Sequence, residues 1–335
     1  MYGNRLRKDD YEELLRKKTV GEIATYLKNE TDYESSLKNV YENRIHRGQL
    51  ENLINTHIFK KILKLLKFSQ LTKDEFYMSN IIHEEVDVIL SALRSLVPEK
   101  FEDLESNVYV QEIPFYLSDY ISFSLEKMVD LKDYQQLLKA LEKTHYYDIL
   151  KQHEPKGEEK IDYTVIEREL TSHYYKHIFS VIDRTFKGSQ KKKLNDIYST
   201  QIELSNITKI YRFKKFFKVT NEEIRNSMLM VNSRISSAKL DELIALPTAE
   251  DVLKALENSR YQIYSDDQDY VFIEYYAEKI QYNLAKRYMH FSIDTPLIFT
   301  SYVILLQTEV QNLTNIIEGI RYDIPMSDIE KMLIY

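Results

Sequence analysis

Apolar side chains recur along this chain at the spacing of a helix rather than in the alternation of a strand. Between residues 38 and 68, one side of the predicted helix carries Leu50, Leu53, Ile54, His57, Ile58, Ile62 and Leu65. The same period predicts a helix, a turn and a second helix in residues 10–28. Further helices are predicted over 38–68, 81–96, 111–128, 132–141, 164–186, 194–217, 221–229, 238–246, 270–289 and 296–321. The fold is therefore predicted to be all-α.

The connections between these helices are predicted from turn, charge and capping signals. Residues 151–160 and 187–193 are rich in charge and are predicted to be exposed loops, and residues 265–269 a polar turn. Ser327-x-x-Glu330 has the pattern of a cap, which predicts one more short helix near the C-terminus.

A repeated pattern divides the chain into thirds. Helix-start signatures occur at Thr19–Ile23, Thr144–Ile149 and Thr248–Val252, and each is followed at a similar distance by an acidic residue with a small polar residue three positions on. These closing pairs are Glu84 and Asp87, Glu203 and Asn206, and Glu309 and Asn312. The repeat predicts three similar helical lobes with pseudo-threefold symmetry, forming a funnel or socket. The predicted lobes cover residues 1–100, 101–219 and 220–335.

Each closing pair stands at the head of a mostly apolar helical stripe, so its polar groups are predicted to be buried. An unpaired buried polar group costs about 1–3 kcal/mol, and these residues therefore need partners. Two interpretations are open. The pairs either form a structural hub with caps and loops of neighbouring lobes, or they line the funnel and meet another protein. Arg321 and Tyr322 follow the third stripe and either anchor the C-terminus or face a partner.

Composition excludes several classes of protein. Only 6 of 335 residues are glycine and 6 are proline, which favours long helices over a turn-rich sheet. There is no cysteine, so disulfides and thiolate metal sites are excluded. A net charge of −7 argues against nucleic-acid binding. The longest nearly unbroken apolar run, residues 296–306, is too short to cross a bilayer, so we expect no membrane span.

The chain carries little that predicts catalysis or a cofactor. Its glycines are scattered, so no phosphate-binding loop is present, and no nucleophile elbow is found. His173 and His177 lie four residues apart on one predicted helix, with Glu169 one turn earlier, which is the spacing of a helical zinc site. An ordinary helix face is the favoured interpretation of these three residues. We predict no catalytic residues, no metal and no cofactor.

Several longer segments carry a resemblance to a known family. They are Leu6–Leu15, Lys193–Asp196 followed by Glu203–Thr208, and Glu309–Leu313 followed by Gly319–Pro325. In order and spacing they resemble the central-stalk connector of V-type rotary ATPases, which is the C subunit of prokaryotic enzymes and the d subunit of eukaryotic ones. The resemblance covers nearly the whole chain. Family members generally have another helical segment before the point where this chain starts, and Met1–Leu6 is similar to its end.

The resemblance implies a non-catalytic subunit that couples the rotating shaft of the ATPase sector to the membrane rotor ring, during proton or sodium transport or ATP synthesis. The implied partners are the coiled-coil central-shaft subunit and the rotor ring. The implied location is the cytoplasmic face of a membrane, reached through the complex, and the isolated chain is expected to be monomeric. The alternatives are a stand-alone helical scaffold that binds helices or peptides, and a metal-dependent hydrolase centred on His173 and His177.

Overall fold

The chain is helical in a computed structural model, which describes residues 2–41, 44–97, 114–129, 131–157, 159–217, 219–257 and 273–335. None of these residues lies in a β-strand, so the all-α prediction is confirmed. The α-helices are α1 (Lys8–Leu15), α2 (Val20–Glu30), α3 (Glu34–Leu37), α4 (Arg47–Phe68), α5 (Glu75–Ser95), α6 (Tyr134–Leu141), α7 (Tyr146–Gln152), α8 (Tyr163–Thr185), α9 (Gly188–Phe216), α10 (Asn221–Asn226), α11 (Ser237–Ala245), α12 (Ala249–Glu257), α13 (Ile273–Phe291), α14 (Thr295–Arg321) and α15 (Met326–Lys331).

Six long helices come in three consecutive pairs, α4 with α5, α8 with α9, and α13 with α14, each joined by a short connection. The three connections lie at one end of the molecule, because the first turn of α5 touches both the end of α8 and the start of α14. The ring of Phe76 is 4.9 Å from that of Phe186, and the ring of Tyr77 is 4.9 Å from that of Phe299. The second helices of the three pairs, α5, α9 and α14, all begin at this end.

The second helix of each pair packs against the first helix of the next pair. Thus α5 packs on α8, α9 packs on α13, and α14 packs on α4, near the start of the chain. The last of these contacts closes the arrangement into a ring of helices. The closure requires the N-terminal and C-terminal regions to share a core.

That shared core is an apolar cluster built from α1 to α4 together with α14 and α15. It joins Leu14, Ile23 and Leu50 to Leu306 and Ile316, all fully buried. The cluster takes residues from both the first and the last of the predicted lobe ranges, since packing here does not follow the order of the chain. The division into lobes at 1–100, 101–219 and 220–335 stays a prediction.

Two predicted elements are wrong, and the helix predicted over 38–68 begins only at Arg47. Residues 114–128 of the predicted helix 111–128 form only two short 3-10 turns, Phe115–Leu117 and Leu125–Met128, and residues 111–113 lie outside the described ranges. The amide of Ser122 is directed at a buried carboxylate of α5 instead of a carbonyl one turn earlier, so the segment cannot continue as a helix.

The predicted basic loop 187–193 is also wrong, because α9 already begins at Gly188, which has a φ of 57°. Cations in a first turn oppose the helix dipole, and two acidic side chains offset this effect. Lys191 lies 3.0 Å from Asp183, and Lys193 lies 3.8 Å from Asp294.

Two of the three helix-start signatures are side-chain caps. The hydroxyl of Thr19 accepts the amide of Glu22 at 3.1 Å, and that of Thr248 accepts the amide of Asp251 at 3.1 Å. The cap predicted at Ser327 is wrong, since α15 begins at Met326 with no side-chain cap, and Pro325 before it has a φ fixed by its ring. The predicted polar turn 265–269 lies outside the described residues.

Helix length alone does not make a membrane span. Although α9 has 29 residues and α14 has 27, no helix in the described ranges is apolar over enough residues to cross a bilayer.

Candidate functional site

The ring of helices encloses a hollow of about 1420 Å³, which we call the central cavity. Its walls come from α4, α5, α8, α9, α13 and α14. Near the starts of α5, α9 and α14 the lining is largely aromatic, with Phe76, Tyr77, Tyr198 and Phe299. Farther along these helices apolar residues such as Val88, Leu204 and Val310 alternate with many polar ones, namely Asn80, Glu84, Asp87, Ser91, Ser95, Gln201, Ser205, Thr208, Lys209, Arg212, Gln307, Gln311 and Arg321. The cavity therefore combines an aromatic end with walls of mixed polarity.

Three long helices also carry one fully buried glutamate each, and every one of them accepts a main-chain amide from a distant segment. On α14, Glu309 accepts the amide of Leu6 and the hydroxyl of Tyr33, both at 2.9 Å, and Nε of Arg5 lies 3.6 Å from its carboxylate. Burial raises the pKa of Glu309, and the charge of Arg5 opposes that shift. This contact fastens the N-terminal segment to the penultimate helix.

On α9, Glu203 binds one residue with both carboxylate oxygens. Its Oε1 accepts the amide of Arg234 at 2.6 Å and Nε of the same residue at 2.9 Å, while Oε2 accepts a second guanidinium nitrogen at 2.9 Å. Arg234 also donates to Asp196 and Thr200, at 3.0 and 2.6 Å. The buried charge of Glu203 is thus fully paired, which a carboxylate in an interior requires.

On α5 the corresponding residue is Glu85, one position after the Glu84 expected from sequence. Glu85 is 3% exposed, accepts the amide of Ser122, and accepts the hydroxyl of Tyr146 at 2.7 Å. A signal for it was present in the sequence. Residues three, four, seven and eight positions after Glu85 are all apolar, whereas the same offsets from Glu84 include Asp87 and Ser91.

The two tyrosines occupy matching local structures. The amide of Tyr33 is 3.3 Å from the hydroxyl of Thr31, and the amide of Tyr146 is 3.3 Å from the hydroxyl of Thr144. The pattern Thr-x-Tyr therefore marks two of the three segments that cap a buried glutamate, and sequence reasoning missed it. Burial and the neighbouring carboxylate raise the pKa of both phenols, so both hydroxyls remain donors.

The pairing of segments differs from the sequence-based expectation, in which each opening signature belonged with the closing pair that follows it in the chain. The segment around Thr144 contacts Glu85, which precedes it, and the Thr19 segment contacts the helix that carries Glu309. Likewise Arg234, which precedes Thr248, binds Glu203. Each opening segment therefore lies on the helix before it, and the first segment lies on the last long helix.

Two buried asparagines each make the same pair of hydrogen bonds to the main chain of a distant residue. Asn206 donates to the carbonyl of Leu229 and accepts its amide, both at 2.8 Å. Asn312 does the same with Ile334, at 2.7 and 2.9 Å. A carboxamide carries both a donor and an acceptor, which here bind the amide and the carbonyl of a single residue, so each asparagine holds a main-chain segment in a fixed position.

Glu84 and Asp87 are placed differently, since both line the central cavity. Asp87 lies 2.9 Å from Nδ1 of His83, and its charge raises the pKa of that imidazole to about 9. Burial, followed by the charge of Asp87, raises the pKa of Glu84 to about 7. These groups are therefore available to whatever enters the cavity.

The last two expected residues follow each other at the end of α14. Arg321 lines the central cavity, and its guanidinium lies 5.2 Å from the ring centre of Tyr322. Tyr322 is 45% exposed. Arg321 therefore stands at the end of the cavity away from the aromatic lining, and Tyr322 is open to a partner or to solvent.

His173 and His177, which have the spacing of a helical zinc site, contact different groups in the structure. The ring of His173 stacks on His145 with centres 4.7 Å apart, and burial lowers its pKa to about 4. Nε2 of His177 lies 3.6 Å from Glu75, and Glu169 pairs with Arg168 at 2.6 Å. Within the described ranges no three acidic or histidine side chains are grouped as metal ligands.

The sequence of this chain matches a known protein family. Residues 1–332 match the family described as ATP synthase (C/AC39) subunit. The chain belongs to this family. Because that is a family of ATP synthase subunits, membership agrees with the prediction that the chain is a non-catalytic subunit rather than an enzyme in its own right.

Three relatives are each described as the C subunit of an A-type ATP synthase. The protein of Archaeoglobus fulgidus is 22% identical over 98% of this chain and 92% of its own length. That of Methanosarcina acetivorans is 22% identical over 98% and 88%, and that of Methanosarcina mazei is 24% identical over 76% and 59%. The predicted resemblance to the C subunit of rotary ATPases is thus confirmed at nearly full length, although identity is low.

Proposed function

We propose that this chain is the central-stalk connector of a V/A-type rotary ATPase, joining the rotating shaft to the membrane rotor ring. Membership of the ATP synthase (C/AC39) family supports the complex to which it belongs. The observation that carries the coupling role is the central cavity of about 1420 Å³. Its wall of long helices is closed by contacts between the two ends of the chain, and such a socket suits the end of a rod.

The proposed roles of the site residues follow from their contacts. Four of these residues form a structural hub, because their polar groups are hydrogen-bonded to main-chain, tyrosine or arginine groups inside the protein. They are Glu203, Asn206, Glu309 and Asn312. The others face the partner, namely Glu84, Asp87, Arg321 and Tyr322. The hub keeps the wall rigid, because close-packed interiors transmit strain rather than absorb it.

The remaining parts of the proposal concern assembly. The partners are the coiled-coil shaft subunit and the rotor ring, and the connector is held at the cytoplasmic face of the membrane by the complex. Isolated from the complex it is a monomer, in three similar lobes around the cavity. The three buried glutamates, each receiving an amide from a distant segment, support the lobed arrangement.

Co-purification with the central-shaft subunit of the same ATPase tests this function. We expect a one-to-one complex, and we expect Thr208→Trp on the cavity wall to weaken it by filling space that the rod needs. Lys192→Trp is the matched control, because Lys192 lies on the same helix but is exposed and outside the cavity lining. Equal binding by both variants contradicts the socket. A wild-type protein that binds unrelated helical peptides but no shaft would favour a general scaffold.

A further inference from the structure

Two carboxylates in the central cavity differ from the other charged groups there. Glu84 on α5 and Glu278 on α13 both line it, and neither forms an ion pair with a residue in the described ranges. An acidic neighbour on the same helix raises the pKa of each, Asp87 for the first and Glu274 for the second, and the charge of His83 lowers that of Glu84. A half-buried carboxylate beside a like charge is destabilised unless a cation reaches it.

Of the cationic side chains that line the cavity, three pair with carboxylates, Arg321 lies over the ring of Tyr322, and His83 pairs with Asp87. Lys209 on α9 lies 2.9 Å from Glu167, and Arg212 lies 3.6 Å from Glu274. At the mouth formed by α4 and α14, Arg47 lies 3.0 Å from Glu51 and also contacts Glu318. The charged or titratable groups that line the walls are His46, Arg47 and Glu51 on α4, His83, Glu84 and Asp87 on α5, Tyr174 and Tyr175 on α8, Tyr198, Lys209 and Arg212 on α9, Glu274 and Glu278 on α13, and Arg321 on α14, with Tyr77 and Tyr116 beside them.

This environment affects protonation in the empty cavity. Burial and then Asp87 raise the pKa of Glu84 to about 7, and burial and then Glu274 raise that of Glu278 to about 7. Around neutral pH each carboxyl is therefore divided between its neutral and ionised forms. A cation brought next to either group would favour the ionised form and release a proton.

We propose that the central cavity selects a shaft whose inserted end presents lysine or arginine side chains to Glu84 and Glu278. The inference rests on the proposed connector function and adds the chemistry of the partner. Complementary charge in a socket fixes orientation and rejects wrong partners more than it adds affinity. Because the two carboxylates lie on α5 and α13, two different walls of the cavity, they give the rod one preferred angular position.

Insertion is thereby coupled to proton release. In the isolated protein, both carboxyls have pKa values above the ordinary 4.5. Their contribution to stability is fully present below that value and is lost as the pH rises toward 7. Binding of a basic shaft has the opposite dependence, because the attraction grows as the carboxyls ionise. As the pH rises, the stability of the isolated protein should therefore fall while shaft binding strengthens. Shape fit alone would not produce these opposite pH dependences.

Titration calorimetry of the purified shaft subunit into this protein at pH 6 and pH 8 tests the inference. We expect roughly tenfold tighter binding at pH 8, with proton release measured by repeating the titration in buffers of different ionisation enthalpy. Glu84→Gln with Glu278→Gln should abolish most of the pH dependence and weaken binding at pH 8 by about tenfold. The control is Glu34→Gln with Glu142→Gln, two exposed residues outside the cavity lining, which should bind as wild type.

The outcomes separate this inference from the function on which it rests. If the shaft binds wild type and the cavity double variant equally, or binds more weakly at pH 8, the charge selection is wrong while the socket stands. If wild type does not bind the shaft at either pH, both fail. Folding of the double variant is checked by its thermal melt at pH 8, where it should be at least as stable as wild type because it lacks two half-buried charges.

Discussion

Replacing Asn312 by alanine should release the C-terminal segment from α14. Asn312 is 1% exposed, and its carboxamide makes two hydrogen bonds to the main chain of Ile334, at 2.7 and 2.9 Å. The substitution leaves a buried amide and a buried carbonyl without partners. At about 1–3 kcal/mol for each of the two groups, the expected loss is about 2–6 kcal/mol.

The loss should first appear as local opening of the segment after α15, because terminal segments separate from a core at lower free energy than the whole domain. Hydrogen exchange at the amide of Ile334 measures it directly, and we expect exchange to accelerate by at least about tenfold, equivalent to about 1.4 kcal/mol. Asn315→Ala is the matched control. Asn315 is one turn away on α14, is only partly buried, and reaches the carbonyl of Met332 at 3.4 Å.

The reasoning is refuted if Asn315→Ala accelerates exchange at Ile334 as much as Asn312→Ala does. It is also refuted if Asn312→Ala leaves exchange at Ile334 unchanged. In either case the asparagine would not be what holds the segment.

Three other substitutions test neighbouring contacts by thermal melting. Arg234→Leu leaves the carboxylate of Glu203 buried without its cation and should cost about 3–5 kcal/mol; a loss below about 1 kcal/mol would mean that the charge is relieved another way. Tyr33→Phe removes one donor to the buried carboxylate of α14 and should cost about 1–2 kcal/mol, and an unchanged melt would contradict that role. Gly319→Ala places a methyl group against the side chain of Ile329, too close for both to keep their positions, and should cost about 1–3 kcal/mol, partly recovered by adding Ile329→Val; no recovery would count against this contact as the cause.

Helical periodicity located the long helices well, because a face that must be buried imposes its spacing on the sequence whatever it packs against. Helices predicted at 164–186 and 296–321 are α8 and α14 within a residue. The failure at 111–128 has a different origin. The apolar spacing there is compatible with a helix, but the amide of Ser122 is bound by Glu85, a residue far away in the chain.

The difference between local spacing and tertiary contacts also explains why Glu84 was expected to be buried where the structure buries Glu85. Adjacent positions on a helix point in different directions, so an error of one residue moves a side chain from the core to the central cavity. For Glu203 and Glu309 the chosen residue was the buried one, and apart from the buried asparagine three positions on, the stripe behind each is apolar. At the first position an acidic pair offered two registers, and only packing distinguished them.

The sequence alone was sufficient for the all-α class, the family and most helix bounds, since these depend on local spacing and on residues that stand in a recognisable order. Only the tertiary structure decided which long helix each opening segment packs against. A repeat in sequence specifies similar pieces, but not whether a piece lies on its own closing helix or on the one before it. That choice depends on which apolar faces meet when the last long helix packs against the first ones, and it places Glu84 in the central cavity and Glu85 in the core.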